Sequence, residues 1–292
     1  MPGVAVVTDT TQYLPQDVVE RHGLSLVSLY VNWAGRTDRE SDMPSYDAFY
    51  EHLRTGDGDL PSTSQPSVGD FLAAYEPLIE RGDDVVSIHL SGGISGTVRS
   101  AEQARDAMVE RGVVDPGRIV VLDSRTGAAG HGLMAIAADN AAKGGAGAQA
   151  AADAAAKVGE RMTILFAVDT LEYLRRGGRI GAAQAFLGSA LKIKPILSID
   201  SEITPVERVR TQGRAIDRLV RELQEQHDAG SDVYVIQHVQ APGLAERVAA
   251  RGREIYGREP EFVSELGPVI GTHTGPGLVG VTALPSALLG PV

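Results

Sequence analysis

Three short runs concentrate hydroxyls on flexible backbone: Thr63-Ser64-Gln65-Pro66-Ser67, Ser95-Gly96-Thr97 and His273-Thr274-Gly275-Pro276-Gly277. Small hydroxyls donate hydrogen bonds without bringing charge. Three such loops and one histidine describe a grip on a small anionic group. None of them carries a strong nucleophile, a metal-ligand cluster or a phosphate loop with its lysine. The run Gly92-Gly93-Ile94-Ser95-Gly96-Thr97 lacks the lysine of a nucleotide P-loop. Gly177-Gly178-Arg179-Ile180-Gly181 is not a dinucleotide fingerprint and reads as a turn that needs positive φ. Ser95 is not in a G-x-S-x-G elbow. Its plainest reading is a helix N-cap; the alternative is a helix N-terminus that receives an anion.

The seven histidines form no H-E-x-x-H and no other close ligand pair, so neither a metal nor a cofactor is expected. His273 differs from the rest because glycines and a proline hold its loop, which would fix the imidazole in one place. Arg175, Arg176 and Arg179 follow Leu171-Glu172-Tyr173-Leu174. They read either as cations at a helix C-terminus or, for one of them, as an anion anchor or a partner contact.

The elements that must carry these residues follow from periodicity. Residues 4–8, 24–31, 85–90 and 119–122 are short apolar runs that predict strands. Helices are expected over 44–54, 67–81, with Ser67 and Asp70 as a capping box, and 95–111. Strand, crossover helix and strand in succession predict a parallel sheet with helices on both faces. Ligands of such folds bind at the carboxyl ends of the strands, where Thr8–Thr11, Ser91–Thr97 and Asp123-Ser124 fall. The alanine-rich stretch 141–157 predicts a helix closing a first domain. A second α/β unit then begins with strands at 163–168 and 194–199, the latter at a sheet edge or strand start because of Pro195. An amphipathic helix at 212–227, a strand at 233–237 and a helix at 243–256 follow. The expected fold class is two α/β domains, 1–160 and 161–292, with largely parallel sheets and flanking helices.

The chain of 292 residues is 43% hydrophobic, enough for a packed core, and carries a formal net charge of −11. That acidity argues against general nucleic-acid binding and against a polybasic membrane surface. With no cysteine, disulfides, thiolate catalysis and cysteine-ligated metals are excluded. No signal segment or membrane-spanning stretch is recognisable, so a cytoplasmic protein without integral membrane association is expected.

Taken in order, these runs resemble the DegV family. The matching residues are Thr8-Asp9-Thr10-Thr11 with Leu14-Pro15, Thr63–Ser67, Ser95-Gly96-Thr97 with Ser100-Ala101, and Asp123-Ser124. They continue with residues 171–180 (LEYLRRGGRI), 191–197 (LKIKPIL) after Ala190, and 267–277 (GPVIGTHTGPG). The resemblance covers essentially the whole chain. It implies a bacterial, two-domain lipid-binding protein that holds one fatty acid between its domains. It implies a role in phospholipid metabolism, as the subunit that presents the acyl carboxylate to a separate ATP-dependent fatty acid kinase subunit. By that resemblance Thr63 and Ser95, with Gly96, meet the carboxylate, and His273 and Thr274 lie nearby. Arg179 and Arg210 lie around the mouth, and Arg175 and Arg176 join Arg210 as candidates for the partner contact. Ser91-Gly92-Gly93-Ile94 and the run from Arg125 to His131 depart from the family pattern.

The physics suits such a ligand. Each buried CH₂ contributes roughly 0.8 kcal/mol, so a long acyl chain supplies on the order of 10 kcal/mol before association entropy is subtracted. A hydroxyl cradle replaces the water of a buried carboxylate yet leaves the oxygens nucleophilic. The chain shows no recognisable ATP site, which predicts a subunit that is not an enzyme by itself. Two alternatives stay open: an acyl hydrolase using Ser95 and His273 with Asp9 or Asp123 as orienter, and a lipid carrier or sensor without a kinase partner.

Overall fold

The computed structural model describes residues 3–55, 60–188 and 193–291. The start of the LKIKPIL run lies outside them. In chain order the first elements are β1 (Val4–Asp9), α1 (Gln16–His22), β2 (Ser25–Val27), β3 (Tyr30–Trp33), β4 (Arg36–Arg39), α2 (Asp47–Thr55) and β5 (Ser62–Ser64). Then come α3 (Val68–Glu80), β6 (Asp84–His89), α4 (Thr97–Glu110), β7 (Ile119–Asp123), α5 (Ala129–Lys143) and α6 (Ala148–Arg161). The remainder is β8 (Thr163–Ala167), α7 (Glu172–Arg176), β9 (Lys194–Asp200), β10 (Glu202–Val209), α8 (Gln212–Asp228) and β11 (Val233–His238). It ends with α9 (Pro242–Tyr256), β12 (Phe262–Glu265), α10 (Pro268–Thr274) and β13 (Val279–Leu284).

Two compact units result. The first comprises residues 1–29, 65–161 and 286–292, the second 30–64 and 162–285. The chain passes from α6 to β8 between Arg161 and Thr163, and the first unit is discontinuous along the sequence. Residues 30–64 group with the second unit because β3, β4 and β5 pair antiparallel among themselves and α10 packs on β3, β5 and α2. The single strand expected over 24–31 is accordingly two. β2 pairs with β1, the Leu29 N–H donates to the Thr10 hydroxyl at 3.3 Å, and the chain then leaves for a different sheet.

In the first unit the sheet order is β2-β1-β6-β7 and every pairing is parallel, as strand–helix alternation predicted. Phe71, Tyr75 and Leu78 of α3 and Ala101, Ala104 and Met108 of α4 bury against Val7, Val85 and Ile119. The Ser67 hydroxyl accepts the Asp70 N–H at 3.1 Å, and the Asp70 carboxylate accepts the Ser67 N–H at 2.8 Å, so the capping box forms. The alanine-rich stretch is not one helix. Gly144 and Gly145, the latter at φ +93°, end α5, and α6 starts afresh at Ala148. Glycine takes the left-handed conformation at little cost, which alanine propensity cannot override.

The second unit departs from the expected parallel sheet. Its order is β10-β9-β8-β13-β11-β12, with parallel pairing only between β11 and β12. A short connection explains one of these pairs: β9 and β10 join through Ser201 alone, at φ +62°, and a parallel crossover needs a dozen or more residues. β9 lies inside the sheet, and Pro195 is tolerated as its second residue. The amphipathic helix holds, with Ala215, Ile216, Leu219, Val220 and Leu223 of α8 buried.

Candidate functional site

On the first unit a chain of buried polar groups ties the carboxyl ends of β1 and β6 together. One Asp9 oxygen accepts the Thr11 N–H at 3.0 Å and the Thr11 hydroxyl at 2.5 Å. The other accepts the Leu90 N–H at 3.1 Å and lies 3.0 Å from His89 Nδ1. His89 Nε2 is 2.6 Å from the Ser87 hydroxyl, which receives the Tyr75 hydroxyl at 2.7 Å. His131 of α5 brings Nε2 to 3.4 Å from Asp9. Asp9, His89 and His131 are fully buried. Burial alone would raise the Asp9 carboxyl, but the facing imidazoles of His131 and His89 overcome it and hold it well below the usual carboxylate range. Burial pushes His89 down against the pull of Asp9. A neutral His89 donating from Nδ1 makes every link consistent: Tyr75 to Ser87, Ser87 to Nε2, Nδ1 to Asp9. Motif spacing did not reveal this group. The available signal was Ser87 and His89 alternating on one face of an otherwise apolar strand.

Ser95 stands just before α4. Its hydroxyl lies 2.8 Å from the Thr97 hydroxyl and accepts the Thr97 N–H at 3.3 Å. The N-cap position belongs to Gly96, which makes no side-chain cap bond, so the N-cap expected of Ser95 is displaced by one residue. A Cβ at Gly96 would sit 2.8 Å from Gln65 Nε2, so glycine permits that approach. The family departure at Gly92 has a local reason too. Its N–H donates to Asp123 at 3.1 Å, and a Cβ would meet the same carboxylate at 2.8 Å. Asp123 also accepts the Arg125 N–H at 2.8 Å.

On the second unit Thr63 and His273, 210 residues apart in sequence, are joined at 2.8 Å from Oγ1 to Nε2. β5 positions the threonine by strand alternation. Ser62 and Ser64 reach Asn32 Nδ2, each at 3.3 Å, and Thr63 points to the opposite face. The histidine is not in a loop, as glycine content suggested, but in the last turn of α10. Pro268 at the first helical position starts that helix and Gly275 at φ +72° ends it. The Thr274 hydroxyl donates to Ile270 O at 3.0 Å inside the helix.

Burial first, and the Arg179 guanidinium second, push the His273 imidazole down to about 4, so it is neutral at neutral pH. Arg179 donates to Gly177 O at 2.8 Å, and a Cβ at Gly177 would collide with His273 Nδ1. Nδ1 is buried without a hydrogen-bond partner among the described residues. Arg175 and Arg176 are exposed and share the Glu172 carboxylate at 2.8 and 2.5 Å. Arg210 lines a recess of about 500 Å³ with Asp169, Lys194, Thr211 and Gln212. Among the described residues no group of three His, Asp or Glu side chains is arranged to hold a metal ion, and no helix is long and apolar enough to cross a membrane.

A parallel sheet flanked by helices, a mixed six-stranded sheet and a separate three-stranded antiparallel sheet define an α/β protein. The family model described as "Uncharacterised protein, DegV family" matches residues 3–286. The chain belongs to the DegV family. A DegV domain-containing protein of Streptomyces coelicolor is 42% identical over 284 residues, covering 95% of this chain and 97% of that one. The crystal structure of DegV, a fatty acid binding protein from Bacillus subtilis, matches with TM-score 0.86 at 35% identity, covering 97% of this chain and all of that one, 100%. A DegV family protein from Thermus thermophilus, described for its fatty acid binding, matches with TM-score 0.86 at 33% identity, covering 97% and 99% of the two chains.

Proposed function

We propose that this protein binds a long-chain fatty acid and that the Thr63 hydroxyl donates to its carboxylate. The observation that carries the reading is the Thr63–His273 pair with an uncharged imidazole. A neutral imidazole has one N–H. Placed on Nε2, it donates to Thr63 Oγ1 and leaves the hydroxyl proton to point at an anion. Placed on Nδ1, it would be a buried donor without an acceptor and would also consume the threonine proton. A carboxylate arriving at Thr63 therefore selects the Nε2–H form. The Ser95 hydroxyl at the entry of α4, with Gly96 beside it, is retained as a proposed fatty-acid contact. The fatty-acid-binding relatives in Bacillus subtilis and Thermus thermophilus support the ligand class.

The same features favour presentation of the carboxylate to a separate ATP-dependent kinase subunit over hydrolysis. A serine hydrolase relay aims the imidazole Nδ1–H at a carboxylate. Here His273 Nδ1 faces none among the described residues, and Nε2 is engaged by Thr63. Asp9 and Asp123, the orienters considered, are committed to His89, Thr11 and backbone N–H groups. A hydroxyl donor leaves carboxylate oxygens free to attack a phosphoryl group, as a tight arginine fork would not.

Organic extract of the purified protein, read by mass spectrometry, tests the ligand: a stoichiometric long-chain fatty acid is expected. An empty extract together with no uptake of added oleate or palmitate would overturn the reading. Charge reversal of Arg175, Arg176 and Arg210 together tests the partner surface. Capture of the kinase subunit should weaken while fatty-acid affinity stays unchanged. Unaltered capture would remove these residues from the interface.

A further inference from the structure

Glu40 follows β4 and is buried to 2% exposure, an unusual place for a carboxylate. Its Oε1 accepts the Val269 N–H at 2.8 Å across 229 residues of sequence. Val269 lies in the first turn of α10, where backbone donors have no partner within the helix and the helix dipole favours a negative charge. His273 lies four residues further on and so on the same face, one turn above the anchored donor. Tyr50 of α2 secures the same helix from a second side. Its hydroxyl donates to Leu266 O at 2.6 Å, and its ring packs so closely on Gly271 that a Cβ there would collide with the phenol. Burial first, and the Glu40 charge second, push that phenol up. The segment 30–64 thus supplies Thr63, the partner of the imidazole, and also the groups that hold the helix on which the imidazole stands.

We propose that Glu40 is a positioning residue: by receiving the Val269 N–H it sets the pose of α10 and thereby the alignment of His273 Nε2 on Thr63. The assignment rests on the fatty-acid reading only for its ligand readout.

The test uses full-length protein with isotope-labelled histidine, the His273 ring signals being identified by their loss in His273→Gln. Glu40→Ala should shift the His273 ring signals in ligand-free protein and, by misaligning Thr63, raise the Kd for oleate by about tenfold, the lower end of what losing the Thr63 hydrogen bond to a carboxylate costs. Glu40→Gln keeps an oxygen at the acceptor position and should restore both. If Glu40→Ala does not fold, Glu40→Asp keeps the charge but withdraws the carboxylate by one methylene, and it should shift the same signals. Wild-type His273 signals in Glu40→Ala, or in Glu40→Asp, overturn the proposal, whatever happens to the melting temperature. A Glu40→Gln as damaging as Glu40→Ala overturns it as well, because the buried charge and not the hydrogen bond would then be responsible. The ring signals are read without ligand, so they decide the matter even if wild type takes up no oleate, a result that would sink the binding reading alone.

Discussion

Replacing Thr63 with valine removes one hydroxyl and almost no volume, so it isolates the hydrogen bonds made by that oxygen. Two losses follow from the geometry. In ligand-free protein His273 Nε2 loses its partner at 2.8 Å, beside an Nδ1 that has none among the described residues. Leaving such a group unpaired costs about 1 kcal/mol or somewhat more, so the second unit should melt a few degrees earlier and still fold. In the complex the carboxylate loses a donor. A hydrogen bond to a charged group is worth about 1.5–3 kcal/mol, which at about 1.4 kcal/mol per tenfold predicts an affinity about 10- to 150-fold weaker. The acyl chain is untouched, so binding should weaken and not vanish. Thr63→Ser keeps the oxygen on β5 and should hold affinity to within about threefold, since only a methyl contact and some rotamer restriction are lost. Titration calorimetry of oleate into delipidated wild type, Thr63→Val and Thr63→Ser reads all three numbers. Valine binding as tightly as threonine would refute the donor role. Serine binding as weakly as valine would show that the methyl group, and not the hydroxyl, matters.

The depressed His273 imidazole makes a pH prediction: its stabilising share is complete above about 6.5, the unfolded value, and is lost as pH falls towards the folded value of about 4. The stability gap between wild type and His273→Gln should therefore shift by up to about 3 kcal/mol over that window in urea titrations, and a constant gap would contradict the assignment. Asp9→Ala deletes the acceptor of four hydrogen bonds in a fully buried site, so the first unit should lose about 3–5 kcal/mol, measured by chemical denaturation; a loss below about 1 kcal/mol would mean that the network relaxes freely. Gly177→Ala should displace the imidazole and weaken oleate binding, whereas Gly178→Ala, at φ +69° with open space around it, should reduce stability by about 1 kcal/mol with affinity unchanged. Equal affinities in the two alanine variants would mean that the close approach at Gly177 is not needed.

Local chemistry was legible where it acts locally. Ser67 and Asp70 cap α3 because a serine and an acid three residues on reach each other's backbone inside one turn. Val4–Asp9, Asp84–His89 and Ile119–Asp123 are strands because β-branched runs bury well in a parallel sheet. The amphipathic spacing of α8 likewise survived folding. Where chain reversal depended on one or two residues, the reading failed. Ala34 and Gly35 both take positive φ and close a two-residue hairpin, though alanine gives no turn signal. The run Gly267–Gly277 was rich in loop residues, yet Pro268 at the first helical position and Glu40 on Val269 make helix of its centre.

The amino-acid sequence by itself determined which groups were on offer: hydroxyls on short loops, one histidine in a glycine-bounded run, an acidic surface, no thiol, and family membership over nearly the whole chain. Only the tertiary structure decided which of them meet. Thr63 and His273 become partners because residues 30–64 fold with the second unit, and the imidazole is neutral because burial and Arg179 oppose its protonation. Asp9 becomes the hub of a buried relay because two imidazoles, from β6 and from α5, converge on it. Spacing along a chain sets local conformation, but a pKa and a hydrogen-bond direction are set by whatever the fold packs against the group, and those neighbours come from distant sequence.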